Sequence, residues 1–176
     1  VLPISAKFYP SNEFLQLKLT GLQQEVMKES MHLAFTIAWN LTPRNVQVQL
    51  RKKYGKENCS GINIHAGDLD VHKEGPSASI AICSAIYSLL NEKPIKQTFG
   101  VTGELSMLGD AMAIGGLDHK IIGSMKSGAT SFIYPHENQR QYEEFIDKYK
   151  DKDEIAGATF HNVKDIKDVF ELIFDT

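Results

Sequence analysis

Two short stretches hold the residues best suited to covalent chemistry, Glu74-Gly75-Pro76-Ser77-Ala78-Ser79 and Gly115-Gly116-Leu117-Asp118-His119-Lys120. The first offers a hydroxyl nucleophile, Ser77, and the second an amine, Lys120. A serine hydroxyl attacks poorly until a neighbouring group takes its proton. A lysine can do so only when neutral, so its pKa must fall from about 10.4 toward about 7 to 8 through burial or a nearby cation. Leu117, Ile121 and Ile122 flank Lys120 on the helix expected after Gly116 and would strip water from its amine. Gly75 tolerates unusual dihedrals and Pro76 fixes its own φ, so together they would present Ser77 rigidly at a helix start. There the first-turn N–H groups lack intrahelical partners and the helix dipole favours a developing oxyanion. Thr102, in Thr102-Gly103-Glu104, adds a strand-end hydroxyl that would hold the amine, as a third triad member orients its base. Taken singly, each has a plainer reading: Ser77 as an N-cap, Lys120 as a surface cation, Thr102 as an ordinary strand residue.

The elements that must position these groups follow from hydrophobic periodicity. Leu15, Leu17 and Leu19 alternate with polar residues as a strand ending at Gly21, and apolar residues from Leu22 to Leu41 fall at helical spacing, with Thr20 as cap and Pro43 as stop. Val46 to Leu50 alternates but is flanked by charge, so its state stays open. Ile62, Ile64 and Ala66 form a short strand, followed by a turn or loop at Gly67-Asp68-Leu69-Asp70 that leads to Ser77. The run from Ser77 to Leu90 is small or apolar all round and predicts a buried helix ended by Asn91-Glu92-Lys93-Pro94. A strand at Thr98 to Val101 and a hairpin from Leu105 to Ile114, turning at Gly109-Asp110, precede the Lys120 helix, which runs to about Lys126 with Gly128 beyond its end. A strand at Ser131 to Pro135, a helix from Gln139 to Tyr149, a strand at Ala158 to His161 and a helix from Val163 to Phe174 complete an α/β or α+β chain.

Composition narrows the partners. At 176 residues, 42% of them hydrophobic, the chain suffices for one domain with a substantial core. A formal charge of −3 gives no general attraction to nucleic acid or to an anionic membrane, and the cluster Arg51-Lys52-Lys53 reads as a solvated loop. Cys59 and Cys83 stand in dissimilar contexts, which points to no disulfide framework and to a reducing, intracellular compartment. No apolar run approaches the roughly 20 residues that span a bilayer, no signal-peptide pattern opens the chain, and a first residue of Val1 suggests a piece excised from a longer protein.

Two other chemistries compete. His65, Asp68, Asp70 and His72 lie close enough in sequence to suggest a metal site, although their spacing matches no established ligand pattern. Ser77 with His72 or His65 would form a Ser-His-Asp type hydrolase instead.

Taken together, Thr20-Gly21 with Glu25-Val26-Met27-Lys28-Glu29-Ser30, Gly75-Pro76-Ser77-Ala78, Thr102-Gly103-Glu104, Ile114-Gly115-Gly116-Leu117 through Lys120, and Pro135 with Glu137-Asn138 resemble the proteolytic domain of Lon proteases. The motifs keep the family's order across residues 20 to 138. The resemblance implies a serine endopeptidase with Ser77 as nucleophile, Lys120 as general base and later acid, and Thr102, Gly75, Pro76 and Glu74 in support. It also implies a fold like the second domain of ribosomal protein S5, protein or peptide substrates, and a homo-hexameric full-length enzyme. Neither nucleic acid nor membrane is implied as a partner, and no metal or cofactor is expected in this chain. ATP and Mg would serve a separate ATPase module, because no G-x-x-x-x-G-K-[ST] loop occurs here. A location in the mitochondrial matrix is expected for a eukaryotic source and in the cytoplasm for a bacterial one. The chain is expected to be a single such domain over residues 1 to 176, beginning after the family's first strands. Glu74 stands where the family usually has Asp, and Ser79 and Gln24 where it usually has Gly. Those departures leave a catalytically inactive binding or assembly module as the alternative.

Overall fold

In a computed structural model the described residues are 1–21, 25–67 and 75–175. Their elements run β1 (Ile4–Pro10), β2 (Leu17–Thr20), α1 (Glu25–Leu41), α2 (Arg44–Tyr54), β3 (Ser60–Ala66), α3 (Ser79–Asn91), β4 (Phe99–Val101), β5 (Glu104–Leu105), β6 (Ala111–Met112), α4 (Leu117–Lys126), β7 (Ser131–Pro135), α5 (Gln139–Tyr149), β8 (Thr159–Val163) and α6 (Ile166–Ile173). Strands and helices alternate through a mixed α/β architecture, as the periodicity predicts. The chain divides into two compact units, one made of Leu2–Pro76 with Ala81–Pro94, the other of Ser77–Ile80 with Ile95–Thr176 and Val1.

In the first unit β3 is the central strand of the order β1-β3-β2. β1 pairs with it antiparallel, from Ile4 opposite Ala66 to Pro10 opposite Ser60, and β2 pairs parallel, from Leu17 opposite Ile62 to Thr20 opposite His65. The alternation in β3 has its expected effect, since Ile62, Ile64 and Ala66 are fully buried. α1 buries Met27, Met31, Ala34, Ile37 and Ala38, the recurrence of one helical face. Thr20 is the last residue of β2 and its hydroxyl lies 2.9 Å from His65 Nδ1; residues 22–24, where its expected capping of the helix would be read, lie outside the described residues. The segment around Val46 is helical: Pro43 closes α1 and opens α2, while Arg51, Lys52 and Lys53 fill the last turn of α2. Those cations therefore face the negative end of a helix dipole and are not a loop cluster.

The second unit is built on the parallel sheet β4-β7-β8, with Phe99 to Val101 opposite Ser131 to Ile133 and Ser131 to Pro135 opposite Thr159 to Val163. Phe132, Tyr134, Phe145, Ile155, Ile114, Leu117 and Ile121 form one buried apolar cluster, against which Tyr142 and Phe160 pack. Leu117 and Ile121 bring α4 onto this cluster, so the helix carrying Lys120 is seated by its apolar face. β5 and β6 form the expected hairpin, turning at Gly109. Val163, expected to open the last helix, ends β8 instead, and Asp165 caps α6 by accepting from the N–H groups of Lys167 and Asp168.

Gly100 on β4 lets α4 approach closely. A Cβ built at Gly100 would overlap Ser124 Oγ, lie 2.9 Å from Ser124 Cβ and 3.0 Å from Phe132 Cδ2. Any side chain there would push α4 off the strand. Gly100→Ala is expected to cost about 1–3 kcal/mol of stability by overpacking, read as a lowered denaturant midpoint at unchanged slope.

Candidate active site

Ser77 sits in a short 3-10 turn, Pro76–Ala78, that feeds directly into α3. Gly75, with φ of 93°, supplies the left-handed residue that turns the chain into it. The turn is then laced to the strand segment leading into β5. The Ser77 carbonyl accepts from the Gly103 N–H at 2.9 Å and from the Thr102 hydroxyl at 3.3 Å. In return the Ile80 N–H donates to the Gly103 carbonyl at 3.3 Å. Ser79, 1% exposed, accepts from the Leu105 N–H at 2.9 Å and donates to the Gly103 carbonyl at 3.3 Å. The Thr102 N–H donates to the Ile133 carbonyl at 3.1 Å, which ties the segment to β7. With these bonds made, the Ser77 backbone has little freedom to move.

Lys120 comes from the other side of the same unit, on the first turn of α4. Gly116 stands at the start of that helix in the left-handed region, φ 66° and ψ 38°, where a side chain would be strained. Its carbonyl accepts the Lys120 N–H at 3.2 Å, so the helix begins one turn before the lysine. Lys120 Nζ reaches Ser77 Oγ at 2.7 Å. As an ammonium it donates to that oxygen; as a neutral amine its lone pair accepts the serine proton. Partial burial lowers the Lys120 pKa below its ordinary value of 10.5, because removal from water penalises the charged form. Hydrogen-bond contact and a lowered amine pKa are what a serine-lysine pair requires.

The structure thus brings Ser77, Lys120 and Thr102 together, but the Thr102 hydroxyl, expected to hold the amine, donates to the Ser77 carbonyl instead. Of the first-turn N–H groups of α3, which as a set were expected to favour a developing oxyanion, that of Ile80 donates to the Gly103 carbonyl. Glu74 lies outside the described residues, as do Asp68, Asp70 and His72 of the metal reading. Among the described residues no group of three or more His, Cys, Asp or Glu side chains could hold a metal ion, and His65 is engaged with Thr20. No helix among them is long and apolar enough to cross a membrane. Ser79 is the contributor whose role periodicity missed. Its signal was a hydroxyl at the head of a run otherwise rich in apolar residues.

Comparison with known proteins gives a concordant result. A family model described as the Lon protease (S16) C-terminal proteolytic domain matches residues 1–176. The Lon protease of Borrelia duttonii (strain Ly) is 35% identical over 158 residues, covering 90% of this chain and 18% of that protein. The Lon protease of Buchnera aphidicola subsp. Schizaphis graminum (strain Sg) is 32% identical over 160 residues, covering 91% and 19%. A mitochondrial Lon protease homolog of Drosophila melanogaster is 32% identical over 173 residues, covering 96% and 16%. The chain spans less than a fifth of the length of these relatives.

Two outcomes follow from this geometry. Ser79→Ala leaves the buried Leu105 N–H without its acceptor and is expected to cost about 1–3 kcal/mol, read by denaturant unfolding. Labelling of Ser77 by a fluorophosphonate should rise with pH, since the neutral base accumulates as pH climbs through the lysine pKa. Its half-maximum is expected below 10.5, the ordinary lysine value; a half-maximum at or above it would mean that the amine is not desolvated.

Proposed function

This chain belongs to the Lon protease (S16) family as its C-terminal proteolytic domain, and we propose that Ser77 and Lys120 are its catalytic dyad. The single observation that carries the assignment is the 2.7 Å contact between Lys120 Nζ and Ser77 Oγ. The neutral Lys120 amine takes the hydroxyl proton as Ser77 Oγ bonds to the scissile carbonyl carbon, whose oxygen becomes an oxyanion. The resulting ammonium returns that proton to the departing amide nitrogen, the C–N bond breaks, and an ester to Ser77 remains. A water molecule then attacks the ester with Lys120 again as base, which frees the new carboxyl end and restores the serine. Thr102 and Gly103 support the step by holding the Ser77 carbonyl, and Gly75 and Pro76 by shaping the turn before it.

The activity of the whole protein extends this reading. Its substrates are proteins or peptides, and it works as a homo-hexamer whose separate ATPase module uses ATP and Mg. The residues here do not suit that nucleotide, because the chain has no G-x-x-x-x-G-K-[ST] loop. The length of the relatives leaves room for such a module. A site in the mitochondrial matrix or the bacterial cytoplasm is the corresponding location, in keeping with a mitochondrial relative and bacterial ones.

Ser77→Ala and Lys120→Ala are each expected to abolish peptide hydrolysis by the full-length protein while its circular dichroism is unchanged. Lys120→Arg should fail as well, because a guanidinium cannot accept a proton near neutral pH. Full activity in either lysine variant would end the dyad assignment.

A further inference from the structure

Glu137 and Asn138 follow β7 in a short 3-10 turn, and the dyad chemistry makes no use of either. Asn138 is 0% exposed, and a buried amide is costly unless its polar atoms are paired. Its side-chain amide is turned mainly to Ile114. Its Oδ1 accepts the Ile114 N–H at 3.0 Å and its Nδ2 donates to the Ile114 carbonyl at 2.9 Å, a reciprocal pair that imitates a strand partner. The same Nδ2 donates to Gln141 Oε1 at 2.8 Å, which fixes the amide's orientation. Beside it, Glu137 Oε2 accepts the Ala113 N–H at 2.8 Å.

The clamped residues lie immediately before Gly115 and Gly116, the hinge-like pair that opens α4. A side-chain carbon built on either glycine would meet nothing within 4 Å, so the pair has open space on that side. Upstream of them, the backbone is held by the Glu137 and Asn138 side chains; downstream, Lys120 follows one turn into the helix. A displacement of the Ile114 end is passed through two glycines to the start of the lysine helix. A contact of 2.7 Å tolerates little of that, since a shift of about 1 Å takes the amine beyond hydrogen-bond reach.

We infer that Asn138, aided by Glu137, is a positioning residue for the Lys120 base: it sets where α4 starts and hence where the amine meets Ser77. The inference rests on the dyad reading of Ser77 and Lys120. Releasing the clamp lets the amine drift from Ser77 Oγ toward water, which slows proton transfer and also returns the lysine toward its ordinary pKa.

The test is steady-state peptide hydrolysis across pH by the full-length protein carrying Asn138→Ala, with Lys120→Ala and wild type alongside. Asn138→Asp is the second variant, because it keeps the shape and the acceptor for Ile114 N–H but loses the donor to the Ile114 carbonyl. A control, Ile37→Ala in α1, lowers stability without touching the clamp. For both Asn138 variants the expected result is a fall in kcat of about 10–100-fold, KM within about two-fold of wild type, and an ascending pH limb moved to higher pH. Ile37→Ala should leave that limb in place. If the folded Asn138 variants keep wild-type kcat and an unmoved limb while Lys120→Ala is inactive, the positioning role is wrong and the dyad stands. If they lose activity with no movement of the limb, as a merely destabilised protein would, the positioning role is also wrong. Full activity in Lys120→Ala would remove the dyad and this inference together.

Discussion

A lysine amine held 2.7 Å from a serine hydroxyl in a half-buried setting is the arrangement on which the rest of the site depends. Left to itself the contact would not persist. A hydrogen bond of this kind contributes only about 1 kcal/mol net, while a charged amine loses hydration when it is buried. The surrounding backbone must therefore hold both partners in place before they meet. On the serine side this is done by reciprocal bonds between the turn at Ser77 to Ile80 and the segment from Thr102 to Leu105. On the lysine side α4 is seated on the apolar cluster through Leu117 and Ile121, and Gly100 lets the helix lie close to β4.

That division of labour also sets the chemistry. A fully exposed lysine would stay protonated at neutral pH, and a deeply buried one would demand a much larger distortion of its environment. Lys120 lies between these, partly buried, and that burial lowers its pKa below the ordinary lysine value. Ser79 fits the same logic. The Ser79 hydroxyl takes the Leu105 N–H and donates to the Gly103 carbonyl, which adds to the lacing beside Ser77.

Much of this was legible in the residues themselves, and the parts that were not have physical reasons. The β3 alternation, the α1 stripe, the hairpin at Gly109 and the Gly-Gly start of the lysine helix are local signals, and the structure has each of them. α2 was ambiguous because Val46, Val48 and Leu50 alternate like a strand while charge flanks them; the structure makes the segment a helix that follows Pro43 and ends in three cations. β1 has no strong local signal, since its residues are at most partly buried and its place comes from pairing with β3. Thr102 could be placed near Ser77 and Lys120 from its motif, but its bond to the Ser77 carbonyl joins residues 25 apart in sequence, which the motif does not report. The clamp of Asn138 on Ile114 joins residues 24 apart in sequence, which no periodicity reports.

NMR titration of the labelled Lys120 ammonium nitrogen reads most directly whether burial moves this amine toward its neutral form. The expected result is a single transition, displaced below 10.5, that perturbs the Ser77 resonances at the same pH. A Lys120 that titrates at or above 10.5, with Ser77 unaffected, would contradict it.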